Sequence, residues 1–232
     1  MGSQEVSVLE MAGRYRKIWS ATVYDTLERE FHLGDQILDL NIRPIRDDQI
    51  IAGPAFTVVG MRDPRTKEEK EDSDKVKRLY DMVYPGAIVV VNPDKAAEGM
   101  GVFGEMTSWH LKQKGATGIV LDGGIRDRAG LFRIPDYGVF CRYTSPIESY
   151  PRFRTLDVEE PIVVTGQLVR QLRINPGDFI VGDCDGVVVV PKEIAYDCLL
   201  KAEKMWEAEE NTRRDLAAGV PFEEVYRRYH RA

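Results

Sequence analysis

Apolar positions along the chain follow two spacings, one typical of strands and one typical of helices. The runs AIVVV (87–91), GIVLD (118–122) and GVVVVP (186–191) are short, rich in β-branched residues and bordered by turn-forming residues, which predicts buried strands. Between the first two runs, residues 105–114 form a helical segment that Gly115 ends. Strands that alternate with helices indicate an α/β fold.

Helical spacing also marks the two ends of the chain. The segment SATVYDTLERE predicts a helix that begins at a capping serine, Ser20. Near the C-terminus, two apolar faces are separated by Gly219 and Pro221. The first face comprises Ile194, Cys198, Leu199, Ala202, Met205 and Trp206, and the second comprises Phe222, Val225, Tyr226 and Tyr229. We expect an α/β domain over residues 1–191 and a C-terminal helical extension over residues 192–232.

A turn between two late apolar runs predicts a β-hairpin or a closely spaced strand pair. The run FIVG is followed by residues 183–186 and then by VVVVP. Asp183 and Asp185 alternate around this turn, as metal ligands can. Aspartate and glycine are also the residues that turns between strands require, and we favour that interpretation.

Composition and charge exclude several classes of function. The chain has 232 residues, of which 43% are hydrophobic, enough for one large domain. Its net charge of −6 argues against binding to nucleic-acid phosphates, which requires a basic surface. Apolar runs of about five residues fall far short of the ~20 that a membrane-spanning helix needs. Because the start MGSQEVSVLE has no secretion pattern, we expect a cytoplasmic protein without a membrane segment.

Cysteine and histidine offer no obvious metal site. The cysteines are Cys141, Cys184 and Cys198, and the histidines are His32, His110 and His230. Their number and spacing match neither a disulfide framework nor a zinc motif, so we expect reduced cysteines that are mostly packed. Any metal is therefore expected to be held by oxygen atoms.

The segment GMGVFG places Gly99, Gly101 and Gly104 in the pattern G-x-G-x-x-G, which suggests a nicotinamide dinucleotide site. That fingerprint requires its first glycine at the end of the strand, but seven residues separate Val91 from Gly99. A small carboxylate is a better candidate ligand, because glycine lets backbone N–H groups approach an anion at the start of the helix near Glu105. A simple tight connection accounts for the glycines equally well.

A second constellation lies in LDGGIRDRAG (121–130), where a strand is predicted to end at Asp122 and two glycines turn the chain. Arg126 offers a planar cation for a carboxylate or enolate oxygen, while Asp127 and Glu105 offer the hard oxygen ligands that Mg²⁺ or Mn²⁺ prefers. Loops at the carboxyl ends of neighbouring strands can converge on one ligand. From the residues alone, adjacent surface charges are the simpler interpretation of Arg126 and Asp127.

The spacing of these residues resembles that of the 4-hydroxy-4-methyl-2-oxoglutarate aldolase and RraA-like family, where RraA denotes regulator of ribonuclease activity A. The shared pattern is GE at positions 104 and 105, twenty further residues, and then RD at positions 126 and 127. The similarity extends over about residues 20–195 through IRPIRDDQIIAGPAFTV, PGAIVVV, GATGIVLDGGIRD and PGDFIVGDCDGVVVVPKE. The helical tail is similar to that of the longer aldolase branch.

This resemblance implies a β/α sandwich similar to the phosphohistidine swivelling domain, assembled as a homotrimer or homohexamer with sites between subunits. It implies that Arg126 binds the substrate and stabilises an enolate. Asp127 is implied to ligate Mg²⁺ or Mn²⁺ directly, and Glu105 through water. The residues implied to contact a 2-oxo acid, largely through backbone amides, are Gly104, Glu105, Met106 and Thr107.

The implied activity is retro-aldol cleavage of a 2-oxo acid or decarboxylation of oxaloacetate, since both reactions leave a pyruvate enolate. The alternative is a non-catalytic, protein-binding regulator similar to RraA, and a nicotinamide-binding enzyme is less favoured. One position departs from the family, because many aldolase-branch members have an acid where this chain has Gly130. For the acid that the family takes from a neighbouring subunit, the weak candidates are Glu193, Glu209 and Glu210.

Overall fold

The computed structural model describes residues 6–65, 74–94, 98–150 and 152–230. The helices are α1 (Val8–Tyr15), α2 (Ser20–Phe31), α3 (Asp74–Met82), α4 (Glu105–Gln113), α5 (Arg128–Leu131), α6 (Ala195–Ala217) and α7 (Phe222–Tyr229). The strands are β1 (Arg43–Pro44), β2 (Ile51–Arg62), β3 (Ile88–Asn92), β4 (Gly101–Phe103), β5 (Gly118–Ile125), β6 (Gly138–Thr144), β7 (Phe153–Val158), β8 (Ile162–Val164), β9 (Leu172–Ile174), β10 (Phe179–Asp183) and β11 (Gly186–Val190). The predicted α/β class is confirmed.

A long strand, β2, connects two parts of the main sheet. Its middle pairs in parallel with β3, and β3, β5 and β6 continue the parallel part. Its beginning pairs antiparallel with β10, which in turn pairs with β11. Ile37 forms an isolated β-bridge to Val188 of β11. Strand β1 follows soon after in the chain and pairs with β6. These two contacts nearly close the sheet into a barrel, and β8 and β9 form a separate small sheet.

Buried side chains form three layers. Alternate residues of one strand point to opposite layers, so that Ile88 and Val90 face the barrel interior while Val89 and Val91 face the cluster beneath α3 and α4. A third cluster lies between the outer face of β10 and β11 and helices α1, α2 and α6. Because both faces of these strands are covered, the sequence has continuous apolar runs there and no polar alternation.

Several local predictions agree with the structure. Strands β10 and β11 form the predicted antiparallel hairpin around the turn at Cys184 and Asp185. Helix α4 ends next to Gly115, whose φ of +101° suits glycine. In the C-terminal segment, Cys198 and Leu199 of α6 are buried against the third cluster. Whether residues 192–232 form a separable unit stays a prediction.

The predicted serine cap of α2 is wrong in one respect. Ser20 is the first residue of the helix, and its amide and hydroxyl both donate to the carboxylate of Asp183, at 2.7 and 2.6 Å. The same carboxylate accepts a hydrogen bond from the amide of Asp185, at 2.9 Å. Asp183, at the hairpin turn, therefore caps α2. Its carboxylate accepts hydrogen bonds at the helix N-terminus, where the helix dipole favours negative charge. This agrees with a structural interpretation of the turn.

Within the described ranges, the structure contains no helix that is both long and apolar enough to cross a membrane.

Replacing Asp183 with alanine is expected to lower the free energy of unfolding by about 2–3 kcal/mol, because two buried donors of Ser20 lose their acceptor. Urea unfolding followed by circular dichroism measures the change. The matched control is Asp185→Ala, which keeps the backbone amide that donates to Asp183 and is expected to change stability by less than about 0.5 kcal/mol. Equal losses in both variants would contradict the capping role.

Candidate functional site

The two predicted motifs meet at one edge of the sheet. Strands β4 and β5 run parallel, with Gly101 opposite Gly124 and Phe103 opposite Ile125. The chain leaves β4 through Gly104 into helix α4 and leaves β5 into the Arg126–Asp127 pair. Parallel pairing therefore brings together residues that lie more than twenty positions apart in the sequence.

Hydrogen bonds connect the two motifs directly. The amide of Glu105, in the first turn of α4, donates to Oδ2 of Asp127 at 3.3 Å. Nε of Arg126 donates to Oδ1 of the same carboxylate at 3.2 Å. The amide of Arg126 donates to the carbonyl of Phe103 at 2.9 Å, which fixes the backbone of the two motifs. The carboxylate of Asp127 thus occupies the anion-favouring start of α4.

Gly104 allows this close approach. A Cβ atom at position 104 would lie 2.4 Å from Oδ2 of Asp127 and 2.7 Å from Cγ of Arg126. The backbone of Gly104 is extended, with φ of −135°, so the requirement is for space and not for a left-handed conformation. Asp127 itself is left-handed, with φ of 59°, a conformation that aspartate adopts more readily than most residues.

Strand β5 does not end where the sequence predicts. It continues through Asp122 and the two glycines to Ile125, and its register against β6 shifts between Leu121 and Gly124. The glycines therefore form a bulge inside the strand and no turn. At Gly124 a Cβ atom would lie 2.2 Å from the ring of Tyr143, which explains the need for glycine there.

Asp122 is a structural anchor. Its carboxylate accepts hydrogen bonds from the amide and hydroxyl of Thr165, both at 2.8 Å, and pairs with Arg142, which also contacts Asp39. A cavity of about 320 Å³ lies beside this network. Arg126 and Asp127 are not among the described residues that line it, so the candidate site is at the sheet edge and separate from this cavity.

One residue at the site has no counterpart in the sequence predictions. Oε1 of Glu148 lies 3.6 Å from Nη1 of Arg126, so the guanidinium contacts two carboxylates. Glu148 is held there because its segment bridges to Gly101 of β4, whose amide donates to the carbonyl of Ile147. No motif or spacing marked this loop, and only the pairing with β4 identifies it.

The remaining predicted residues differ in exposure. The carboxylate of Glu105 accepts a hydrogen bond from the indole of Trp109 at 3.3 Å. Met106 is 70% exposed, and Thr107 is half-buried. All the residues predicted to contact a 2-oxo acid are therefore at or next to one helix terminus, while their contacts with a ligand stay predictions.

Asp127 offers a partly exposed carboxylate at this edge, an oxygen ligand of the kind that Mg²⁺ or Mn²⁺ prefers, and a metal at this position stays a prediction. The absence of a side chain at Gly104 lets the Asp127 carboxylate lie against the backbone at the start of α4. Burial raises the pKa of the Cys141 and Cys198 thiols to about 11, so both are protonated at neutral pH. Neither of these two buried cysteines therefore offers a thiolate ligand.

Two of the three acids considered for a neighbouring site have partners within the chain. Glu209 accepts a hydrogen bond from Thr22 at 2.8 Å, and Glu210 pairs with Arg213 at 2.6 Å. Glu193 is exposed in the short turn before α6. A role for any of them in another subunit stays a prediction.

The glycine pattern does not have the geometry of a dinucleotide fingerprint. Gly99 lies in a turn with φ of +86°, Gly101 begins strand β4, and Gly104 precedes α4. The fingerprint requires a strand, a tight glycine turn and a helix in direct succession. An intervening strand places the first glycine away from the helix terminus, which disfavours nicotinamide binding.

Known proteins resemble the chain over most of its length. A "Putative 4-hydroxy-4-methyl-2-oxoglutarate aldolase" of Halalkalibacterium halodurans is 28% identical over 91% of this chain and 91% of its own. A solved structure described as novel cellulases from gut-associated microbes is 30% identical, covers 90% of this chain and 89% of its own, and has a TM-score of 0.80. RraAS2 of Streptomyces coelicolor, described as an unusual member of the RNase ES inhibitor RraA protein family, is 27% identical over 88% of this chain and 97% of its own, with a TM-score of 0.73.

A family model also matches the chain directly. The model, described as RraA-like with the name Aldolase/RraA, matches residues 20–189. This range contains β1 to β10, all but the last residue of β11, and every residue of the candidate site. The chain therefore belongs to the RraA-like family of aldolases and RraA proteins.

Proposed function

We propose that this protein is a metal-dependent lyase that acts on a 2-oxo acid. The reaction is retro-aldol cleavage of a substrate of the 4-hydroxy-4-methyl-2-oxoglutarate type, decarboxylation of oxaloacetate, or both. Each of these reactions breaks a carbon–carbon bond and leaves a pyruvate enolate. The similarity to an aldolase-named relative over 91% of both chains supports a reaction of this class.

The observation that carries the proposal is the convergence of a guanidinium, a carboxylate and a helix N-terminus around Gly104. A Cβ atom there would clash with both Arg126 and Asp127, so the glycine is what lets these two side chains lie against the start of α4. Arg126 and Asp127 keep side-chain exposures of 31% and 39%, which leaves both accessible from solvent. A 2-oxo acid presents a carboxylate and a keto oxygen. These groups can bind to the Arg126 guanidinium and to a metal ion held by Asp127.

The chain's own residues would divide the work as follows. Arg126 binds the substrate carboxylate or keto oxygen and stabilises negative charge that develops on it, an effect worth several kcal/mol in a site that excludes water. Asp127 would hold Mg²⁺ or Mn²⁺ directly, and Glu105 would do so through water. When bound, the cation supplies Lewis-acid stabilisation of the enolate oxygen. The Glu105 carboxylate is also our candidate for receiving the substrate's hydroxyl proton through water.

We further expect a homotrimer or homohexamer, with the site close to a subunit interface. Three large apolar side chains near the site are exposed, with Met106 at 70%, Ile147 at 49% and Tyr150 at 59%. Exposed apolar side chains are frequent at interfaces between subunits. Covering them would also remove water from the neighbourhood of Arg126.

The alternative is a regulator that binds a protein and needs no turnover. The 27% identity to RraAS2, which is described as a member of an RNase inhibitor family, supports this alternative. Capture of ribonuclease E by a protein that releases no pyruvate from any 2-oxo acid would favour it over the lyase.

Pyruvate release from oxaloacetate and from 4-hydroxy-4-methyl-2-oxoglutarate is expected with Mg²⁺ or Mn²⁺ and is expected to disappear with a chelator. The physical reason is that the enolate oxygen loses its principal counter-charge without the cation. A coupled lactate dehydrogenase assay measures the pyruvate. Equal rates with metal and with chelator would refute metal dependence, and a control with the same metal but without the protein corrects for the decarboxylation of oxaloacetate that the free cation causes.

Arg126→Ala and Asp127→Ala are each expected to lower kcat/KM by about 10²–10³, the size of effect found when one electrostatic partner of an oxyanion is removed. Far-UV circular dichroism is expected to be unchanged, because both side chains are partly exposed. The matched control is Arg133→Ala, an exposed arginine a few residues further along the chain, which is expected to retain activity. Wild-type rates in either site variant would exclude that residue from the mechanism.

Glu148→Gln is expected to lower KM for the 2-oxo acid about two- to fivefold with kcat unchanged. The substrate must replace the Glu148 carboxylate at Arg126, and an exposed ion pair of this kind is worth about 0.2–1 kcal/mol. Steady-state kinetics of the variant and the wild type measure both constants. A higher KM together with a lower kcat would show instead that Glu148 assists the bound substrate.

A further inference from the structure

The side chain of Glu105 is held in one place by two features that the lyase proposal does not use. Glu105 is the first residue of α4, and its amide donates to the carboxylate of Asp127. Its carboxylate makes other contacts. Oε1 accepts a hydrogen bond from Trp109, and Oε2 lies against Gly130 of helix α5. One residue therefore connects the first turn of α4, Asp127 and the helix that follows Asp127.

Gly130 creates the space that this carboxylate fills. A Cβ atom at position 130 would lie 2.2 Å from Oε2 and 2.4 Å from Cδ of Glu105. Gly130 is in the middle of α5 and does not have a positive φ, so its conformation does not demand glycine. The close approach of Glu105 is the feature of the structure that accounts for glycine at this position.

Trp109 fixes the other oxygen. Its indole N–H donates to Oε1 of Glu105 at 3.3 Å, and the two residues are neighbours on one helical face because they lie four positions apart. The ring is partly buried against the core cluster beneath α4, which restricts its rotation. A donor on a packed ring holds a carboxylate more firmly than a donor on a free side chain does.

We propose that Trp109 and Gly130 are positioning residues that place the Glu105 carboxylate at the metal site, in the volume that a side chain at position 130 would otherwise occupy. This inference rests on the proposed function, because it assigns Glu105 to the hydrated cation. With Oε1 engaged by the indole, Oε2 remains available to accept a hydrogen bond from water at the site. In this chain, the carboxylate that fills the space beside position 130 is that of Glu105.

The test uses Mn²⁺ binding to the full-length protein, followed by electron paramagnetic resonance, so that no turnover is required. In Gly130→Ala the new methyl group meets the far end of a flexible side chain, so the fold is expected to tolerate it while the carboxylate moves away. The dissociation constant for Mn²⁺ is expected to rise about tenfold or more, as for other residues that orient metal ligands. The urea midpoint is expected to be unchanged or higher, because alanine favours helix over glycine.

Trp109→Phe removes the N–H donor while keeping a packed ring, and is expected to weaken Mn²⁺ binding in the same direction. Both substitutions are then repeated in a Glu105→Gln background. If they act through the Glu105 carboxylate, neither is expected to weaken Mn²⁺ binding further there. A purely structural role would give the same loss in both backgrounds, and that result would overturn the proposal.

The outcomes separate this inference from the lyase proposal. Mn²⁺ binding that is lost in Asp127→Ala but unchanged in Gly130→Ala and Trp109→Phe would refute positioning and leave the metal site intact. No Mn²⁺ binding by the wild-type protein would refute the metal site and the positioning together. The inference is supported if both substitutions weaken Mn²⁺ binding in the wild-type background and neither weakens it further in the Glu105→Gln background.

Discussion

The parallel pairing of β4 with β5 is the interaction on which the candidate site depends. It places the end of β4 against the end of β5, so that Gly104 lies within contact distance of Arg126 and Asp127. At this distance no side chain fits at position 104, and the carboxylate of Asp127 reaches the first amide of α4. The glycine, the helix terminus and the charged pair are therefore consequences of one strand pairing and are not independent features.

The positive charge of Arg126 has partners within the chain before any ligand binds. The Arg126 guanidinium contacts the carboxylates of Asp127 and Glu148, and all three side chains are at least 31% exposed. Exposed ion pairs are weak because water competes for both partners. Under the proposed function, a ligand that brings its own carboxylate would replace Glu148 at Arg126 at little cost.

The rest of the fold provides rigidity at a distance from this edge. The barrel interior is filled by apolar side chains from both halves of the sheet, and the hairpin of β10 and β11 is fastened to α2 by the Asp183 carboxylate. A scaffold of this kind can carry different functions at its loops, and the RraA-like family includes both putatively named aldolases and RNase inhibitors. The difference between them must lie in the side chains at this edge, where Arg126, Asp127 and Glu105 lie in this chain.

The sequence was enough to predict the α/β class, the hairpin and the apolar face of the C-terminal helix, because these features depend on periodicity and turn residues within short segments. It also determined that Glu105 and Arg126 belong together, but only through resemblance to a family. The tertiary structure alone decided that Asp183 caps a helix 163 residues away, that the glycines after Asp122 form a bulge, and that Glu148 reaches Arg126. Such contacts join side chains that are distant in the sequence, and their partners are set by how strands pair and helices pack, which no local spacing records.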